Sequence, residues 1–172
     1  MTPHQAIRIS LTLTFLPAPL ASQTAQWTVF LSHAGPIRYG MTITQAREAL
    51  HDPHASGSST GCSYLASSTL PDSVGLMLDD GRVVRIDVWG GSVRTASGAG
   101  IGDTEQRIDS LYRGRIKVQE HPYTGPEGHY LVYSAADSIY RQYQMIFETD
   151  GARVTMYRAG LLPAVTWIEG CE

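Results

Sequence analysis

The chain of 172 residues carries only two cysteines, Cys62 and Cys171, and neither has a flanking His or Asn motif, which excludes a thiol nucleophile of recognisable type. There is no run of Lys and Arg, and the net charge is −3, so nothing in the sequence could track a phosphate backbone and no nucleic acid partner is expected. No uninterrupted apolar stretch reaches the roughly 20 residues that a membrane-spanning helix needs, so no membrane span is expected. The one GxSxG spelling, GSSTG at residues 57–61, has no recognisable base nearby and falls in the serine-rich stretch that reads as a flexible linker. The glycine-rich run GSVRTASGAGIG, residues 91–102, lacks the strand-then-helix setting of a phosphate-binding loop and reads as a linker. With no cofactor or catalytic motif, the chain is read as a non-enzyme that needs no cofactor.

What is present is enough apolar material for a core, with 42% hydrophobic residues. The first 25 residues differ from the rest. Arg8 is followed by ISLTLTFLPAPLASQTA, a short apolar run with small residues at its end, interrupted by Pro17 and Pro19. Residues 1–25 therefore read as a secretory signal, which implies a periplasmic or secreted protein. An exported chain with two cysteines most simply pairs them, so a Cys62–Cys171 disulfide is expected.

Two stretches open alike, GMTITQAREAL at residues 40–50 and GDTEQRIDSLY at residues 102–112. Thr42 with Gln45, and Asp103 with Gln106, have capping-box spacing, and the helices that follow place Ala46, Ala49 and Leu50, then Ile108, Leu111 and Tyr112, on one stripe each. Each is followed by a hairpin signal, with alternating apolar residues around Asp80–Gly81 and around Asp150–Gly151 suiting two-residue turns. In the first hairpin Val84, Ile86 and Val88 share a face, while Asp87 and Trp89 lie on the other. Arg158 breaks the pattern of the second hairpin, as if that strand ends there. AVTWIEGC, residues 164–171, reads as a final strand. The expected fold is α+β, with two tandem helix-plus-antiparallel-sheet repeats at residues 26–97 and 98–172 and the helices packed on one face of an open sheet.

Gly40, Met41, Thr42 and Gln45 at a helix start resemble the outer-membrane assembly lipoprotein family typified by BamE. Two such units in tandem also resemble the β-lactamase inhibitory proteins of actinomycetes, and GAGIGDTEQRI, FETDGARV and EGC look like segments of a group of proteobacterial exported proteins. The resemblance implies a Gram-negative envelope and a sheet whose face grips a protein partner.

Candidate chemistry is thin. His51 and His54 flank Asp52 in HDPH, but Pro53 denies them a helix, so they read as loop residues and no metal is assigned. His121 and His129 flank PYTGPEG without an acidic or Cys partner at ligand spacing. SGSST at residues 56–60 reads as a flexible linker, and Asp79, Asp80, Glu148 and Asp150 as solvated turn residues. Aromatic content remains. In HYLVY, Tyr130 and Val132 share one face, and His129, Leu131 and Tyr133 the other. The expected binding residues are Trp89, Asp87, Tyr123, His129, Tyr133 and Tyr157, on a sheet face that meets a protein partner in the envelope or medium. A glycan or small ligand held by the 121–130 loop is the alternative.

Overall fold

A computed structural model describes residues 27–171; the signal segment expected over residues 1–25 lies outside them. Three two-residue strands, β1 (Thr28–Val29), β2 (His33–Ala34) and β3 (Ile37–Arg38), precede helix α1 (Ile43–Ala49). β4 (Cys62–Tyr64), β5 (Val74–Asp79), β6 (Arg82–Val88) and β7 (Arg94–Thr95) lead to helix α2 (Glu105–Leu111). β8 (Ile116–Glu120), β9 (His129–Tyr133), β10 (Tyr143–Thr149) and β11 (Val154–Leu161) follow. The larger sheet has seven antiparallel strands in the order β4-β5-β6-β11-β10-β9-β8, and the smaller, β3-β2-β1-β7, is mixed through the parallel pair β1–β7.

This overturns the expected pair of helix-plus-sheet repeats. Each helix has seven residues, about 10 Å of length, whereas seven strands at about 4.8 Å spacing make a sheet roughly 29 Å wide. Two such helices cannot cover it. The inner face is shared instead with the small sheet, so that Val29, Ala34 and Ile37 join Ala46 of α1, Ile108 of α2, and Leu76, Ile86, Val88, Leu131, Phe147, Tyr157 and Ala159 of the large sheet in one core.

The likeness of the two helix openings reflects how each is attached. The Gly40 amide donates to the Val83 carbonyl at 2.6 Å, and the Gly102 amide to the Val154 carbonyl at 2.8 Å. Arg82 Nη1 returns to the Gly40 carbonyl at 2.9 Å, and Arg153 Nη1 to the Gly102 carbonyl at 2.7 Å. Both helix starts are thus pinned to the first residues of a strand, β6 or β11. Thr42 and Gln45 form the full capping box. In the second opening the cap is Thr104, which accepts from the Arg107 amide; Asp103 instead takes the Gly100 amide and the guanidiniums of Arg94 and Arg107.

The hairpins also depart from the sequence reading. Asp80 and Gly81, at φ 45° and 72°, form the two-residue turn of β5–β6. The β10–β11 turn is longer, because the Asp150 carboxylate folds residues 150–153 by accepting the Ala152 and Arg153 amides. In β6 a bulge sets Met77 opposite Arg85 but Leu78 opposite Val83, leaving Val84 over, so Val83 rather than Val84 joins Ile86 and Val88 in the core. At the β6–β11 seam only glycine fits at residue 160, since a Cβ there would stand 2.3 Å from the Val84 carbonyl oxygen. β11 does not end at Arg158 but runs to Leu161. Residues 164–171 form no strand. After a 3₁₀ turn at Ala164–Thr166 they cross the outer face of the large sheet as a strap, with Val165 packed on Tyr130, Val132 and Ile146.

Candidate functional site

Side chains of adjacent strand residues alternate between faces, so Arg85 and Asp87 on β6 emerge on the outer face, and Arg158 of β11 stands directly opposite Asp87. All three are buried because the strap lies over them. Arg85 Nη1 donates to the carbonyls of Ala164 at 2.9 Å and Trp167 at 2.7 Å, and Arg158 Nε donates to the Val165 carbonyl at 2.8 Å. Beyond them the Cys62–Cys171 disulfide ties the strap to β4. Arg85 Nε also donates to Asp87 Oδ2 at 3.1 Å and pairs with Oδ1 at 3.0 Å, and Oδ1 has no other donor among the described residues. Burial holds the Asp87 carboxyl above the ordinary aspartate value, with the Arg85 charge opposing.

The second arginine anchors a chain of contacts toward β9. Arg158 Nη1 donates to Glu148 Oε1, and its guanidinium lies 5.0 Å from the centroid of the Tyr130 ring. His121 Nδ1 accepts the backbone amides of Tyr123 at 3.1 Å and Thr124 at 3.3 Å, which leaves the ring proton on Nε2 to be donated to Glu148 Oε2 at 3.3 Å. The loop that joins β8 to β9 is thereby fixed against the sheet.

On the other flank of the strap, Tyr64 and Trp89 stand on either side of Gly75. A Cβ at residue 75 would lie 2.9 Å from Trp89 Cζ3 and 3.0 Å from two carbons of the Tyr64 ring. The rings therefore rest on bare backbone. Tyr64 is 40% exposed and Trp89 50%, yet the Tyr64 hydroxyl is anchored beneath, donating to Asp87 Oδ2 at 2.9 Å and accepting from Arg85 Nη2 at 3.2 Å. The result is an aromatic platform whose polar end is locked into the buried network.

Of the residues expected to bind, Trp89 and Tyr123 are exposed. Asp87 and Tyr157 are fully buried, the first under the strap and the second in the core with its hydroxyl on the Val93 carbonyl, so neither can meet a partner. Tyr133 points to the helix side, its ring 4.5 Å from that of Tyr112. His129 is also on that side, bonded to Glu105 Oε1 at 2.8 Å. Tyr64, Arg85 and Arg158 were missed. The signal was available: VVRIDVW places Arg and Asp two apart on the face opposite Ile86 and Val88, and a charge pair inside an apolar strand points to a face that is covered.

The outer face also carries a groove of about 630 Å³, between the strap and β8–β10, walled by Tyr130, Val132, Ile146 and Arg158, with Lys117 and Ile168 at its rim. A wider depression involves Trp27, Phe30, Pro36, His51 and Leu70 near the small sheet. Among the described residues no group of three or more His, Cys, Asp and Glu could hold a metal ion.

In HDPH the group with a structural role is Asp52. Its carboxylate accepts from Ser67 Oγ at 2.7 Å and from the Ser68 and His54 amides at 3.0 Å. The Ser67 hydrogen bond, followed by the two amides, holds its pKa below the ordinary 3.8. The native state therefore binds fewer protons than the unfolded chain, so the stabilisation is present above pH 3.8 and is lost as pH falls through the lower native value. Asp52→Asn is expected to melt below the wild type near neutral pH, with the gap closing on acidification. A gap that stays constant in thermal melts across that range would contradict this role.

Compared with known proteins, the chain matches no protein family, no curated protein and no solved structure.

Proposed function

We propose that this chain is an exported, non-enzymatic binding protein that recognises a protein partner in the envelope or medium, inhibitor-like or assembly-factor-like, through the aromatic end of the outer sheet face. The observation that carries this reading is the Tyr64–Trp89 platform. Large aromatic rings held in one orientation offer contact area with little rotamer entropy left to lose, and Trp and Tyr dominate binding hot spots. The disulfide supports export, and no helix among the described residues is long and apolar enough to cross a membrane. A glycan or small ligand at the 121–130 loop is the second reading, favoured by Tyr123, which stands 65% exposed on a loop braced through His121.

The test is affinity capture from envelope extract and spent medium, followed by calorimetric titration of each captured protein with wild type and with Trp89→Ala. The expected loss is about 2 kcal/mol or more, roughly thirtyfold in Kd. Gly75→Val, which pushes the rings off their seat, should do the same. Equal affinity for wild type and both variants, or no capture at all, overturns the platform as a protein-binding surface.

A further inference from the structure

We infer that the groove between the strap and β8–β10 is a second binding site, separate from the aromatic platform, and that it takes a monocarboxylate with an apolar body. Arg158 is the reason. Its side chain is 1% exposed and belongs to the groove wall, and two of its three nitrogens are committed, Nε to the Val165 carbonyl and Nη1 to Glu148. Nη2 is buried and has no hydrogen-bond partner among the described residues. A guanidinium nitrogen left without an acceptor costs the desolvation of its two N–H donors, a cost removed when an acceptor arrives.

The surroundings decide which acceptor. Glu148 balances Arg158, and at the rim Glu120 offsets one of Arg115 and Lys117. A single positive charge is left over, which suits a monoanion better than a phosphate dianion. The remaining wall is apolar. Tyr130, Val132 and Ile146 form its sheet side, and Leu162 and Ile168, each 41% exposed, form its strap side. A groove of about 630 Å³ lies within the size range of small-ligand sites, roughly 300–1,000 Å³. The carboxylate would accept from Arg158 Nη2, a planar charge-assisted contact, while the hydrocarbon portion covers the apolar walls. Nη2 has no exposed surface, so the side chains packed around it must shift to admit the carboxylate.

The shared chemistry, an apolar chain ending in a carboxylate, fits a free aliphatic acid or the C-terminus of a peptide with an apolar last residue. Octanoate, octan-1-ol, and a short peptide ending in leucine, as free acid and as amide, distinguish them. Each is titrated calorimetrically into the full chain while the side-chain N–H resonances of Arg158 are followed by NMR. Saturable binding of octanoate or of the free-acid peptide, with the Arg158 resonances displaced and with no binding of the alcohol or the amide, is the expected result, and whichever acid binds tells the source. Ile168→Glu, a substitution at a half-exposed strap residue that leaves the buried network in place, is expected to weaken binding at least about tenfold by setting a like charge at the mouth. Lys117→Glu should weaken it less. Failure of both acids to bind, equal binding of the neutral analogues, unshifted Arg158 resonances, or undiminished affinity in Ile168→Glu would each overturn the site. Because the Trp89→Ala variant leaves this groove intact, it should bind the acid as the wild type does.

Discussion

Arg85→Leu is expected to destabilise the fold by about 3–5 kcal/mol, the usual cost of removing one partner from a buried ion pair. Three losses combine in that figure. Asp87 is left under the strap with only the Tyr64 hydroxyl as a close donor and the Arg158 charge across the strand pair. The carbonyls of Ala164 and Trp167 lose their common donor. The Tyr64 hydroxyl loses the guanidinium that bonds to it. The melting temperature should fall by roughly 10 °C for a chain of this size. Adding Asp87→Leu should recover a good part of the loss, since two apolar side chains need no compensation. Denaturant melts of the single and double variants check both statements; a single-variant cost under about 1 kcal/mol, at the level of an exposed ion pair, would mean that water reaches the outer face under the strap.

Opening the disulfide by Cys62→Ser with Cys171→Ser should cost about 2–5 kcal/mol. The bridge closes a loop across a separation of 109 residues, for which the chain-entropy account gives about 4.7 kcal/mol at 100 residues. What distinguishes this bridge is where it acts. Its far end is the strap, which is already held by Arg85 and Arg158, so the two kinds of fastening restrain one segment. The Arg85→Leu cost measured without the disulfide should therefore differ from that measured with it, by an interaction energy of about 0.5–3 kcal/mol in a double-mutant cycle. Strict additivity would show that the strap is held by its packing and not jointly by these two.

How far the sequence discloses this protein depends on how local the physics is. Thr42 with Gln45 marks a helix start because a cap is settled within three residues, and Asp80–Gly81 marks a turn for the same reason. The large sheet was only half visible. Its strands show in their alternation, but the seam of β6 against β11 joins segments about seventy residues apart, and nothing in either strand names the other. β1, β2, β3 and β7 have two residues each, too few to show any period, so the small sheet that shares the core went unseen and the helices were given its work. The strap misled in another way. Residues 164–171 have the composition of a strand, yet their carbonyls are taken by arginine side chains instead of a neighbouring strand. The same cover hides the site from the sequence: alternation alone puts Asp87 on an open face, yet the strap buries it, Tyr157 lies in the core, and nothing local marks Tyr64 as the border of the platform.

The seam has a consequence in time as well as in space. Strands β4 to β6 form one ladder of neighbours along the chain, and β8 to β11 form another, so each can assemble through short loop closures. The register of β6 on β11, with its glycine under the Val84 carbonyl, is the long-range strand pairing that joins them. It requires a distant closure before its contacts give any return, and it positions the arginines on which the strap later settles. The closure where Gly160 meets Arg85 is therefore the step expected to weigh most on folding speed, with the facing edges of β6 and β11 unpaired until it forms.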